Sequence, residues 1–207
     1  MNIFISQLSI LLDITIFVLT ASITGMSFHL YTLFRKPRYL QFSTGFLCIS
    51  IGYFFVALIN VFTYPSIHTT GIEQLASANM LKSLWFIPVL IGLTILTILY
   101  YEINERRLQL LFIALLIAGF ALGKSTELAF FTISSILFFF IALKLYQHYR
   151  TTPDQSSLLI LIGFSLLFLS KLFSGILFIH EGLHIGYYIF KLVGAGLIAH
   201  SVWVISR

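Results

Sequence analysis

Residues 157–179 read SLLILIGFSLLFLSKLFSGILFI, and they decide the fold class. The run is longer than the about 20 residues an α-helix needs to cross a hydrocarbon core. Its one charge is Lys171. A surface helix of a soluble domain keeps a polar face, whereas this stretch is apolar all round, as a membrane span is. Six further stretches of the same kind run from Ser9 to Phe34, Leu40 to Tyr64, Leu81 to Tyr101, Leu108 to Leu122, Leu128 to Tyr149 and Ile185 to Ile205. With Ser157–Ile179 they fill nearly all of the 207 residues. The expected fold is all-α: a polytopic membrane helix bundle of seven transmembrane helices, with residues 1–207 forming one domain.

Composition supports this. Hydrophobic residues make up 59% of the chain and charged residues 9%. Soluble domains hold about 25% charged residues, so this chain cannot cover a water-facing surface. The breaks between spans are chemically apt. Arg35-Lys36-Pro37-Arg38 stops the first span with a proline. Tyr64-Pro65-Ser66 stops the second, and Thr151-Thr152-Pro153-Asp154 parts the fifth from the sixth. Gly123-Lys124-Ser125-Thr126 turns the fourth span, the shortest, into the fifth. Pro88, inside the third span, is expected to kink it. The N-terminus carries neither a basic segment nor a small-residue cleavage site, so the first span is read as retained. The single cysteine, Cys48, says nothing of redox compartment.

Lysine and arginine set the orientation. With the N-terminus outside, Arg35, Lys36, Arg38, Arg106, Arg107, Lys144, Arg150 and Arg207 all lie at inner ends. Lys82, Lys124, Lys171 and Lys191 lie outside or in the outer half. Once the acids are counted, the whole formal excess of +5 falls on the inner side. The expectation is N-out, C-in, in the cell membrane. The basic excess is thus a topology signal. No nucleic-acid partner is expected, because such a surface needs exposed basic residues with interleaved aromatics.

A short internal repeat is also present. Leu30-Tyr31 with Arg35 matches Leu145-Tyr146 with Arg150, and Gly45-Phe46 matches Gly163-Phe164. Spans 1–3 and 5–7 would then be related units linked by span 4 and running in the same direction. That parallel 3+1+3 arrangement resembles small sugar transporters of the SWEET type. The Pro-Gln pair that marks the SWEET and PQ-loop transporters is missing here.

Polar residues at membrane depth normally face the bundle interior. In the first span Ser6, Ser9, Asp13, Thr20, Thr24 and Ser27 fall within a stripe about 60° wide. The hydroxyls suit helix packing, but a carboxylate at Asp13 needs a partner, a proton or water. Lys82, Lys171 and Lys191 lie at similar depth, Asn60 and Tyr53 share a face of the second span, and Lys191 shares one with Tyr187 or Tyr188. An outward-facing polar pocket is therefore expected from Asp13, Asn60, Lys82, Lys171 and Lys191. Three lysines against one aspartate favour an anionic or carbonyl-bearing ligand. The competing reading has the lysines snorkelling to the interface.

His180-Glu181-Gly182-Leu183-His184 fits the H-E-x-x-H zinc pattern, with His180 and His184 as the metal candidates and Glu181 as base. It falls between the sixth and seventh spans, and Gly182 disfavours the helix the pattern needs. Lys191 followed by Gly194 and Gly196 resembles the last helix of a microbial rhodopsin. A rhodopsin would be expected to carry a carboxylate counter-ion in the third span, which has none, so Asp13 would have to substitute. Neither zinc nor retinal is expected, and no other cofactor. No phosphate loop, G-x-S-x-G or C-x-x-C motif occurs. The architecture is similar to the seven-helix input regions of some prokaryotic sensor proteins. The expected function is a non-enzymatic membrane module, either a ligand-binding sensor or an accessory subunit with a protein partner in the membrane or cytoplasm. A small-solute transporter and a membrane-embedded zinc enzyme are the alternatives.

Overall fold

The structure, a computed structural model, describes residues 3–66, 85–103, 105–121, 126–177 and 184–206. Among these, seven helices occur in chain order: α1 (Ile3–Phe34), α2 (Pro37–Ser66), α3 (Phe86–Tyr100), α4 (Arg106–Ala121), α5 (Thr126–Thr151), α6 (Gln155–Leu177) and α7 (His184–Ser206). Five of them hold stretches long and apolar enough to cross a membrane: Ile10–Phe34, Pro37–Val61, Glu127–Thr151, Gln155–Ser174 and Gly186–Ser206. The described lengths of α3 and α4 are 15 and 16 residues. The burial pattern is the one lipid selects. Large apolar side chains such as Leu11, Phe54, Ile91 and Phe139 face outward, while Asp13, Lys171 and Lys191 are buried.

Six helices close a ring in the order α1, α2, α3, α5, α6, α7, with α7 returning to α1. The α4 helix packs on α5 outside that ring. Two glycine contacts let backbones meet inside it. On α2, a Cβ at Gly45 would lie 2.8 Å from Leu96 and 3.2 Å from the Gly92 carbonyl of α3. On α6, a Cβ at Gly163 would lie 2.6 Å from Ile198 and 2.9 Å from the Gly194 carbonyl of α7. Small residues of this kind drive helix association in lipid, where apolar burial alone gives no preference.

The turns at one end of the ring are also explicit. The α3 helix ends in a Schellman motif: Glu102 N–H donates to the Leu99 carbonyl and Ile103 N–H to the Ile98 carbonyl. Glu102 occupies the left-handed position usually given to glycine, at φ 52°. Its side chain reaches Arg38 at the start of α2 in an exposed ion pair. Pro88, expected to kink the third span, sits in the first turn of α3, where a helix has no bond for its missing N–H to break.

Candidate functional site

Asp13 stands on the inner face of α1, in register with Thr20 and Ser27, all three buried. The hydroxyls satisfy themselves locally: Thr20 donates to the Ile16 carbonyl and Ser27 to the Ile23 carbonyl. Asp13 cannot, and two other helices supply its partners. Lys191 Nζ of α7 donates to Oδ1 at 3.2 Å, and Asn60 Nδ2 of α2 donates to Oδ2 at 3.1 Å. Both members of the ion pair are almost fully buried, with side-chain exposures of 3% and 5%. Three tyrosine rings surround the ammonium: Tyr53 at 4.3 Å from its centroid, Tyr187 at 5.1 Å and Tyr188 at 5.6 Å. Desolvating two charges is costly, and here hydrogen bonds and ring faces offset that cost together.

Lys171 of α6 is in a different state. It is equally buried, yet its Nζ has no hydrogen-bond partner among the described residues. Aromatic faces enclose it: Phe130 at 4.7 Å, Phe131 at 5.5 Å and Trp85 at 5.6 Å. The neighbouring Ser170 hydroxyl is also buried and without a partner among those residues. Of the two described lysines that compete for Asp13, the structure gives Lys191 the contact and leaves Lys171 without a hydrogen-bond partner among the described residues.

Asp13, Asn60 and Lys191 border a cavity of about 430 Å³ at the Asp13 end of the ring. Asp13, Asn60, Tyr53, Trp85, Phe131, Glu127, Ser174, Tyr187, Tyr188 and Lys191 line it, so all six ring helices or their immediate flanks contribute. A second cavity, about 280 Å³, opens at the opposite end and is lined by Arg38, Tyr39, Phe42, Tyr100, Glu102, Lys144 and His148 among others. A void of about 20 Å³ lies beneath the first cavity, with Lys191 and Tyr53 in its wall. Aromatic rings in edge-on and tilted contact fill the layer between the ends. Phe164 meets Phe46 at 6.3 Å, Phe138 at 6.1 Å and Tyr100 at 5.9 Å.

Of the residues singled out from sequence, the structure brings Asp13, Asn60 and Lys191 into direct contact. It sets Lys171 behind Trp85 and Phe131, two residues of the cavity wall. Lys82, His180 and Glu181 lie outside the described residues, and of His184 only the backbone, opening α7, is described. No cluster of three metal-ligating side chains occurs among the described residues. Sequence reasoning missed the aromatic box around Lys171 and, although it set Glu127 on the outer side, did not include it in the pocket. Trp85-Phe86 and Phe130-Phe131 stand near span ends, where such residues normally read as an interfacial belt.

No protein-family model, curated protein or solved structure matches this chain.

Proposed function

We propose that this protein is a non-enzymatic membrane module that binds a small ligand in the cavity beside Asp13, Asn60 and Lys191. One observation carries the reading: the cavity is walled by residues from all six ring helices and holds a buried ion pair. A ligand there touches every helix it would need to reposition. Its differential contacts can therefore bias their packing, which a sensor or accessory subunit requires. The module would hand its state to a protein partner.

Seven crossings complete this reading. The chain leaves α3 at the Arg38 end, where Glu102 meets Arg38. It enters α5 at the Asp13 end, where Glu127 lines the same cavity as Asp13. This supports an α4 helix that travels the depth between them. Arg35, Lys36, Arg38, Arg106, Arg107, Lys144 and Arg150 gather at the Arg38 end, which supports N-out, C-in. The glycine contacts support a parallel 3+1+3 repeat: Gly45 with Gly92 and Leu96 corresponds to Gly163 with Gly194 and Ile198.

The experiment is native mass spectrometry of protein extracted gently from its own membrane, beside a Ser174→Phe variant that fills the cavity. A bound small molecule in the wild type, lost in the variant, is the expected result. An empty wild-type protein would remove the reading. A second reading, a small-solute transporter, is favoured by the second cavity on the opposite end of the same ring. Solute flux in liposomes decides between them.

A further inference from the structure

The α6 helix carries two features that the Asp13–Lys191 pair leaves unexplained. Lys171 is 2% exposed, and its ammonium position has no acceptor among the described residues. Ser174 lies one turn further along the same face and lines the cavity. Ring faces stabilise a cation there but do not supply the opposite charge. An uncompensated buried amine is costly, and such a group in a membrane bundle marks a ligand path.

The pair chemistry indicates what is missing. Asp13 accepts from Lys191 and Asn60, one bond on each oxygen, and makes no hydrogen bond to Lys171. Glu127 also borders the cavity, on the first turn of α5, but it is only half buried. Among the described residues no carboxylate meets the Lys171 ammonium, and the charge that would complete the box is an anion small enough to enter a space of about 430 Å³ lined by aromatic rings.

Resting on the ligand-binding reading above, we propose that the cavity recognises a small organic carboxylate with an apolar or aromatic body, and that Lys171 is the residue that pairs with its carboxylate. The four-carbon stem of Lys171 swings past Trp85 toward Ser174 to meet the acid. The aromatic walls hold the apolar body. A charge-assisted hydrogen bond to the ammonium supplies the preference for the acid over a neutral molecule of the same shape.

The chain contains its own reporter. Its two tryptophans are Trp85, at the cavity, and Trp203, exposed near the far end of α7. In a Trp203→Phe background, emission reads the cavity alone. The probes are acetate, benzoate and phenylacetate, each beside its amide, titrated into protein held in nanodiscs. The expected result is that at least one acid shifts Trp85 emission and binds about tenfold more tightly than its amide, the change one good charged contact gives. Lys171→Met should erase that preference and bring acid and amide to equal affinity, whereas Lys171→Arg should keep it. Monodispersity and thermal unfolding confirm that each variant is folded.

An acid preference that survives in Lys171→Met overturns the assignment of Lys171. Amides that bind as tightly as acids overturn the carboxylate class while leaving a ligand cavity standing. Failure of every acid to move Trp85 emission also overturns the carboxylate class. The ligand-binding reading itself is judged separately, by the bound mass in the native spectrum.

Discussion

Replacing Asp13 with asparagine removes the negative member of the buried pair and leaves Lys191 among three tyrosine rings. At the observed 3.2 Å separation, two unit charges attract by about 5 kcal/mol at an effective dielectric of about 20. Breaking a buried pair from one side costs about 3–5 kcal/mol, because the surviving charge stays desolvated. The rings return part of that, about 0.5–2 kcal/mol. Asp13→Asn should therefore destabilise by about 2–4 kcal/mol, and Lys191→Met, where no ammonium remains for the rings, by about 3–5 kcal/mol. The double variant should lose clearly less than the sum, with a coupling energy of about 1.5 kcal/mol or more. The cycle of Asp13→Asn with Lys171→Met provides the contrast. It contains no hydrogen bond, only Coulomb attraction between Asp13 and Lys171, so its coupling should be less than half as large. Equilibrium unfolding in mixed detergent micelles, followed by circular dichroism, measures all six proteins under one condition. Additive losses for Asp13 and Lys191, or a stronger coupling of Asp13 to Lys171, would refute the pairing.

Three further outcomes are expected. A Cβ at Gly92 would fall 2.4 Å from the Gly45 carbonyl and 3.1 Å from the Ile49 amide, so Gly92→Ala should cost about 1–3 kcal/mol. Gly119→Ala, whose nearest neighbour is the Ile133 methyl at 3.6 Å, should be neutral or gain up to about 1 kcal/mol. Equal thermal shifts for the two would count against the close α2–α3 contact. Lys171→Met, which replaces an unpaired buried amine by an apolar chain of similar length, should stabilise ligand-free protein by about 1 kcal/mol or more. A lower melting temperature in ligand-free nanodiscs would show that Lys171 has a structural partner. Arg35 ends α1 at φ 53° with an exposed side chain. Since this backbone costs a non-glycine residue about 1–2 kcal/mol, Arg35→Gly should raise the melting temperature slightly, and a loss of several degrees would contradict the assigned turn.

The helices were legible because the apolar runs are parted by prolines, glycine turns or charged residues, and lipid leaves the backbone few alternatives. Asp13, Asn60 and Lys191 were legible as members of one site by the same logic, since a polar group at membrane depth must face inward. The partner of Asp13 was not. Lys171 and Lys191 lie at similar depth on neighbouring helices, and the choice depends on the angular phase of α6 and α7 around the ring. That phase is set by the Gly163–Gly194 contact, which no single-helix pattern contains. The kink expected from Pro88 depended on starting the third span at Leu81, whereas Trp85 caps the described helix. The aromatic box around Lys171 escaped notice because Trp85, Phe130 and Phe131 come from the ends of α3 and α5, which meet α6 only after the ring has closed.

On the proposed repeat, scaffold and chemistry part company in an instructive way. The register that matches Gly45 to Gly163 also matches Ile49 to Leu167, and each packs on the glycine of the next helix, Gly92 and Gly194. Carried one to two turns toward the Asp13 end, the same register sets Tyr53 opposite Lys171 and Val89 opposite Lys191. The packing residues are thus repeated, while the charged residues are not. In one unit Val89 packs tightly on Gly52 of its neighbouring helix. In the other, Lys191 stands at the matching position and reaches across to Asp13. Shared packing gives two units that close a ring. The departures from symmetry place both buried lysines at one end of that ring, beside its larger polar cavity. A site built from the unmatched positions of a matched scaffold is where selection for binding, rather than for folding, would leave its mark. The variants at Lys171 and Lys191 test that separation directly, because a purely structural lysine would lower stability without altering which molecules bind.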